Sequence, residues 1–199
     1  MTAVHKLSFN VNIDELREYY DILCNNYKQY LWTSDLFNYG TKKSQEYSNT
    51  ATVRPSGWAL IKYLDNIDIL PPWNIIHNDG NCNIKTEMIF GIAERIWKTI
   101  PGIKRLSISV SPEGVTMDRH SDDDVVIHIP IYSPVGSVFN FYPNNNKETY
   151  NLLADGSAYL CNTYIDHDVC NNGPGDRVHL FFFVDANAVD TIKNLIGTI

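Results

Sequence analysis

Basic residues are scarce in this chain. Its 16 lysines and arginines are outnumbered by 23 aspartates and glutamates, which gives a formal net charge of −7 and a pI near 5.2. Binding to a nucleic-acid backbone relies on a basic stripe that neutralises phosphates. The pairs Lys42-Lys43 and Lys104-Arg105 are too small to make one. The sequence therefore predicts no nucleic-acid partner.

Long apolar runs and clustered cysteines are also missing. No apolar stretch approaches the ~20 residues that cross a bilayer, and the N-terminal MTAVHKLSFNVN lacks the charged-then-apolar layout of a signal peptide. The scattering of the cysteines argues against a disulfide framework and for a reducing compartment. We therefore expect no membrane partner and a cytoplasmic location. The four cysteines are Cys24, Cys82, Cys161 and Cys170.

No Pro-, Gly- or Ser-rich linker and no internal repeat divides the sequence. Its 199 residues are 44% hydrophobic and 20% charged, as in ordinary globular proteins, and suffice for one sizeable core. We expect a single domain over residues 1–199.

The first hundred residues carry helical and loop patterns. Apolar residues at steps of three and four, with acidic residues early, predict an amphipathic helix within Asn12 to Trp32. A second is predicted from Ile84 to Ile100, where Pro101-Gly102 ends it. Between them, Asp68 to Asn81 is predicted to be a loop because it contains two consecutive prolines and an Asn/Asp/Gly cluster.

The pattern changes after residue 102, where short alternating or β-branched runs are separated by turn sequences. Many short strands of this kind predict a sandwich or small barrel. We expect an α+β fold with a double-stranded β-helix (jelly-roll, cupin-like) core over residues 103–185, a helical and loop support region over 1–102, and a terminal helix over 186–199. The seven runs are IKRLSISV, GVTMDR, DVVIHIPIY, SVFNFY, TYNLL, SAYLCNTY and RVHLFFFV.

One motif in this region carries candidate metal ligands. In the stretch MDRHSDDDVVIHIPI, His120 and Asp122 stand two residues apart, and an extended chain points such side chains to the same side. His167, after the run SAYLCNTY, can supply a third ligand. Two histidines and one carboxylate form the facial triad of non-haem Fe(II) oxygenases. Nearby carboxylates would orient the imidazoles as acceptors: Asp118, Asp123, Asp124, Asp166 and Asp168.

Ten residues after His167, Arg177 opens the very apolar run RVHLFFFVD. A buried guanidinium needs an anionic partner, and its planar fork suits the carboxylate of a dicarboxylic co-substrate. Ser109, eleven residues before His120, can share that carboxylate. The alternatives are a surface ion pair of Arg177 with Asp176 or Asp185, and an outward polar position for Ser109.

The combination SVSPEGVTMDRHSD…VVIHIPIYSP…YIDHDVCNNGPGDRVHLFFFVD resembles the aspartyl/asparaginyl β-hydroxylase family of Fe(II)/2-oxoglutarate-dependent oxygenases. That family has a Ser-x-x-x-x-Gly strand before the first histidine, an H-L/I-P-L/I strand, and an arginine ten positions after the second histidine. The resemblance covers Arg105 to Asp185, and the first hundred residues carry none of it. Animal members of the family lack the carboxylate ligand, and they have an arginine where this chain has Val126.

The resemblance implies a site and an activity. It implies His120, Asp122 and His167 as iron ligands, Arg177 and Ser109 at the distal carboxylate of 2-oxoglutarate, and His128 near the other end of that co-substrate. His128 reads equally well as a core histidine. The implied protein is a dioxygenase that uses Fe(II), 2-oxoglutarate and O₂, with ascorbate as an aid in vitro. It would hydroxylate an amino acid, free or within a peptide or protein.

Three other interpretations remain open at this point. The acidic cluster can be a solvated turn on a non-catalytic jelly-roll binding module. The protein can be a cupin-like metal enzyme that does not use 2-oxoglutarate. Cys161, His167 and Cys170 can hold zinc, although their spacing departs from the usual close cysteine pairs.

Overall fold

The computed structural model describes residues 2–27, 32–33, 56–63, 73–78 and 81–199. Those residues form three α-helices and fourteen strands. The helices are α1 (Ile13–Asn26), α2 (Gly91–Thr99) and α3 (Val189–Lys193). The strands are β1 (Val4–Asn10), β2 (Trp32–Thr33), β3 (Ser56–Tyr63), β4 (Trp73–Asn78), β5 (Asn81–Thr86), β6 (Ile103–Ser111), β7 (Thr116–His120), β8 (Val125–Tyr132), β9 (Ser137–Phe141), β10 (Glu148–Tyr150), β11 (Ser157–Cys161), β12 (His167–Asn171), β13 (Arg177–Val184) and β14 (Gly197–Thr198).

The strands divide between two sheets. The larger has the order β14-β1-β11-β8-β13-β6-β3-β5-β4, with β2 on β3, and the smaller has the order β10-β9-β12-β7. Side chains from both sheets pack together in one buried cluster, Phe139, Phe141 and Val169 from the smaller sheet against Tyr159 and Cys161 from the larger. The fold is therefore an α+β double-stranded β-helix, as the sequence predicted.

The alternation of side chains on β13 separates two environments. Val178, Leu180, Phe182 and Val184 join the main hydrophobic core, together with buried residues of α1 and α2. Successive strand residues point to opposite faces, so Arg177 and every second residue after it face the space between the sheets. The same alternation on β6 and β8 makes this interior partly polar.

The N-terminal region contributes strands as well as helices, which corrects the prediction of a helical and loop support region. β1 pairs with β11, and β3 pairs with β6 in the larger sheet. The predicted loop at Asp68 to Asn81 contains β4, which pairs with β5 in a hairpin. The remainder of that predicted loop lies outside the described residues, apart from Asn81, which begins β5.

The boundaries of the predicted helices also change. The first helix ends at Asn26, and Trp32 lies in β2. The second begins at Gly91 because the preceding residues through Thr86 pair as strand β5. The terminal segment begins with a short 3₁₀ turn and is α-helical only at Val189–Lys193. It ends in β14, which pairs with β1. Pairing along an available sheet edge outweighs local helix propensity in both segments.

None of the helices in the described ranges is long and apolar enough to cross a membrane.

Gly156 gives a test of how tightly the loop before β11 packs on the segment between β1 and α1. Its φ is +87°, and an added Cβ would collide with the carbonyl oxygen of Val11. Gly175 has the same φ, but an added Cβ there meets nothing within 4 Å. We expect Gly175→Ala to lower the free energy of unfolding by about 1–2 kcal/mol, the cost of a left-handed backbone. Gly156→Ala should lose about 1–3 kcal/mol more through overpacking.

Urea denaturation of both variants measures this difference. Equal losses would show that the loop moves away from Val11 without cost.

Candidate metal centre and anion pocket

The three side chains predicted as metal ligands lie together at one end of the space between the sheets. His120 ends β7 and His167 begins β12, and the two residues are paired across the sheet with ring centroids 4.4 Å apart. Asp122 lies in the turn after β7. Its Oδ1 is 3.9 Å from His120 Nε2, and its Oδ2 is 3.8 Å from His167 Nε2. Their ligand atoms lie within 4.8 Å of one another, which no other trio of His, Cys, Asp or Glu does in the described ranges.

Main-chain carbonyls orient both imidazoles. His120 Nδ1 is 2.7 Å from the carbonyl oxygen of Asp118, and His167 Nδ1 is 3.0 Å from that of Ile165. A carbonyl can only accept, so Nδ1 carries the proton in each neutral ring and Nε2 carries the lone pair that binds metals. Both Nε2 atoms are the ones nearest the Asp122 carboxylate. The acceptors are thus backbone groups rather than the neighbouring carboxylates expected from the sequence.

The turn that carries Asp122 is held to the turn that follows β11. The Asp122 N–H donates to the Thr163 carbonyl at 2.8 Å, and the Thr163 hydroxyl donates to the carbonyl of Asp124. Lys104 pairs with the Asp124 carboxylate at 2.6 Å. These contacts fix the position of the Asp122 backbone beside the two histidines.

The electrostatics of the trio favour a bound cation. Burial raises the pKa of Asp122, and the opposing effects of His167, His120 and Arg105 are smaller than that of burial. Burial also lowers the pKa of His167, which favours the neutral, metal-binding form of the ring. A divalent ion bound beside the two imidazoles would supply a counter-charge to the desolvated carboxylate.

Arg177 lies inside the barrel, not on the surface. Its side chain is buried, with 3% exposure, and burial lowers its pKa to about 9. Its guanidinium lies 5.0 Å from the centroid of the Phe139 ring, and its Nη2 is 3.0 Å from His179 Nδ1. No carboxylate pairs with it in the described part of the chain, so the alternative of a surface ion pair with Asp176 or Asp185 is wrong.

Other buried polar atoms near Arg177 also lack partners among the described residues. They are Ser111 Oγ, His128 Nδ1 and His179 Nε2. Ser111 lies opposite Arg177 across β6 and β13, and Ser109 lies opposite His179 on the same interior face. An outward position for Ser109 is therefore also wrong. The unfilled donors and acceptors form a polar cluster around the guanidinium, which we call the anion pocket.

Aromatic rings connect this pocket with the metal-ligand trio. The Phe139 ring, which lies under the Arg177 guanidinium, is 6.0 Å from the His167 ring between centroids. His128 is 4.9 Å from Phe139 and 5.5 Å from His179 by the same measure. Burial, then the charge of Arg177, then His167 lower the pKa of His128. His128 thus lies between the two parts of the site.

The structure separates the proposed zinc ligands. Cys161 is buried between the sheets. Cys170 contacts Asp168, and both residues lie on the face of β12 opposite to His167. His179, which we did not single out in the sequence, does join the pocket. The signal that could have identified it is its spacing of two from Arg177 on one strand, which places both on the same face.

No protein-family model and no curated protein matches the sequence. Solved structures similar to this chain include a prolyl-4-hydroxylase from Pseudomonas putida, 12% identical over 92% of each chain, with a TM-score of 0.48. A 2OG-Fe(II) oxygenase family oxidoreductase from Burkholderia pseudomallei is 12% identical over 90% of this chain and 95% of its own, with a TM-score of 0.47. A cupin domain from Bordetella pertussis is 18% identical over 41% of this chain and 81% of its own, with a TM-score of 0.35. Likenesses this distant carry no weight in assigning the function.

The uncompensated charge of Arg177 predicts an unusual stability effect. Methionine has a similar unbranched shape and no charge, so Arg177→Met should remove a desolvation cost. We expect the free energy of unfolding of the ligand-free protein to rise by on the order of 1 kcal/mol in urea denaturation. Arg95→Met is the control, because Arg95 is partly exposed and paired with Glu15 at 2.5 Å, and it should give no gain. A loss of several kcal/mol at Arg177 would mean that the protein itself compensates the charge.

Proposed function

We propose that this protein is an Fe(II)/2-oxoglutarate-dependent dioxygenase that hydroxylates an amino acid, free or within a peptide or protein. The observation that carries the proposal is the pairing of two features in one interior. A His120–Asp122–His167 trio lies at one end, and a buried guanidinium without an anionic partner among the described residues lies nearby. A metal alone would satisfy only the first feature.

The donor set fits a non-haem iron. Two imidazole nitrogens and one carboxylate, all within 4.8 Å, match the facial triad, which leaves further coordination positions for other ligands. The Nδ1 contacts to the Asp118 and Ile165 carbonyls hold the rings with Nε2 towards the shared point. His120, Asp122 and His167 would hold the metal.

The pocket fits the co-substrate in the same way. Arg177 would bind the distal carboxylate of 2-oxoglutarate, with Ser109 on the neighbouring strand sharing it. His128, between Arg177 and His167, would contact the other end of the molecule through its Nδ1, which has no partner among the described residues. A molecule with carboxylates at both ends would form hydrogen bonds with the Arg177 guanidinium and the His128 imidazole at the same time.

The bound iron would supply oxidative decarboxylation of 2-oxoglutarate by O₂ to succinate and CO₂, coupled to insertion of one oxygen atom into a substrate C–H bond. This chain would orient the ligands, fix the co-substrate carboxylate and exclude water from the pocket. We extend the proposal to an amino-acid hydroxylase of the aspartyl/asparaginyl or prolyl type, as the sequence resemblance implies. The scattered cysteines support a cytoplasmic location.

The metal assignment is tested by direct binding. Calorimetric titration of the metal-free protein with Mn(II), a redox-stable substitute, should show one ion per chain. His120→Ala and His167→Ala should each weaken binding by about a hundredfold or more, since even loss of an outer partner costs 10–100-fold. Both should also abolish turnover of 2-oxoglutarate to succinate with Fe(II) and ascorbate. His5→Ala, on the exposed side of β1, is the control. Near-normal metal binding in both variants would sink the assignment.

The co-substrate assignment predicts a different outcome for Arg177. Arg177→Ala should raise the apparent 2-oxoglutarate constant at least about tenfold, because a charge-assisted hydrogen bond is lost. Affinity for Mn(II) should be nearly unchanged, since Arg177 is not a ligand. Arg177→Lys keeps the charge without the fork and should restore only part of the loss.

Arg95→Ala removes an equal charge far from the pocket and serves as the control. If succinate never forms, or if its formation does not depend on Arg177, a cupin-like metal enzyme or a binding module becomes the better account.

A further inference from the structure

We propose that His179 is a positioning residue of the anion pocket. Its neutral ring, protonated on Nε2, accepts a hydrogen bond from Arg177 through Nδ1 and so holds the guanidinium in place for the ligand carboxylate. This inference rests on the proposed function, because it assigns a role within the same 2-oxoglutarate pocket.

Strand geometry brings the two side chains together. Arg177 and His179 stand two residues apart on β13 and therefore share its interior face. Arg177 Nη2 is 3.0 Å from His179 Nδ1, and the two side chains are 3% and 1% exposed. The contact is thus enclosed, where a hydrogen bond that is lost is not replaced by water.

The identity of the donor fixes the tautomer of His179. A guanidinium has only N–H donors and stays protonated, so Nδ1 must be the unprotonated acceptor. The proton of the neutral ring is then on Nε2. Burial and the charge of Arg177 both lower the pKa of His179, and a protonated ring would lose its acceptor and repel the guanidinium. One positive charge, that of Arg177, therefore faces the pocket.

Two contacts restrain the guanidinium. The Phe139 ring lies against it at 5.0 Å, and His179 takes one of its N–H groups. The other N–H groups of the fork are left for a carboxylate, whose geometry they match. A positioned fork loses less entropy when the ligand binds, which strengthens binding without adding a contact to the ligand. The orientation of Arg177 should therefore depend on the acceptor at the Nδ1 position.

Substitutions at His179 can separate this role from simple packing. Asparagine places a carbonyl oxygen near the position of Nδ1, glutamine places its amide near Nε2, and alanine offers neither. Calorimetric titration of the Mn(II)-loaded protein with 2-oxoglutarate gives the dissociation constant. We expect His179→Ala and His179→Gln to raise it by about tenfold and His179→Asn by no more than about threefold. In turnover assays, the 2-oxoglutarate KM should rise while kcat changes little.

Three controls keep the outcome clear. Mn(II) affinity should be similar in all variants. Circular dichroism should show each variant folded at the titration temperature, because loss of a buried side chain lowers stability by itself. Ser107→Ala, at a buried polar residue on the same face of β6 but opposite Phe181, should leave the dissociation constant unchanged. If wild type binds 2-oxoglutarate and His179→Ala binds it equally well, or if Asn gives no rescue relative to Ala, the positioning role is wrong while the proposed function stands. If Mn(II)-loaded wild type does not bind 2-oxoglutarate, both fail.

Discussion

The enclosure of the Arg177 guanidinium between the sheets is the constraint on which the arrangement of the site depends. Burial of a cation away from water costs on the order of several kcal/mol. A nearby anion can offset this cost by replacing the lost hydration. The described residues around Arg177 offer only neutral contacts, the Phe139 ring and the His179 nitrogen. A bound anion would supply the missing partner. Its other end would lie towards His128 and His167, where the metal-ligand trio begins.

Strand β13 can carry this cost because its apolar face stabilises the fold while its other face carries the buried polar residues. The face that carries Val178, Leu180, Phe182 and Val184 is fully enclosed in the main core with the helices. Each such side chain stabilises the fold by about 1.5–3 kcal/mol on burial. The neighbours β6 and β8 hold β13 in register along most of its length, so the polar face is fixed by the apolar one.

Local patterns in the sequence were sufficient for seven of the core strands, for the three side chains that lie together and for the position of Arg177 at the head of β13. They failed where structure depends on distant pairing. β1 is a short N-terminal segment whose pairing with β11 joins parts of the chain far apart in sequence. β4 and β5 flank Asp79-Gly80, a dipeptide favoured in hairpin turns, but the nearby prolines outweighed that signal. β12, which begins at His167 itself, is not among the seven predicted runs. His179 could not be ranked above other histidines until the register placed it beside Arg177.

The same contacts explain why carboxylates gather beside His120. Three carboxylates around the two histidines have partners on or directly beside neighbouring strands: Asp124 with Lys104, Asp166 with Arg119, and Asp168 with Tyr142 and Asn140. These pairs tie the turns around the trio to the sheets and offset their own charges. Asp122 instead lies between two imidazoles, with burial favouring its protonated form. A cation bound beside the imidazoles would stabilise Asp122 as an anion, which would make it the metal ligand among these carboxylates.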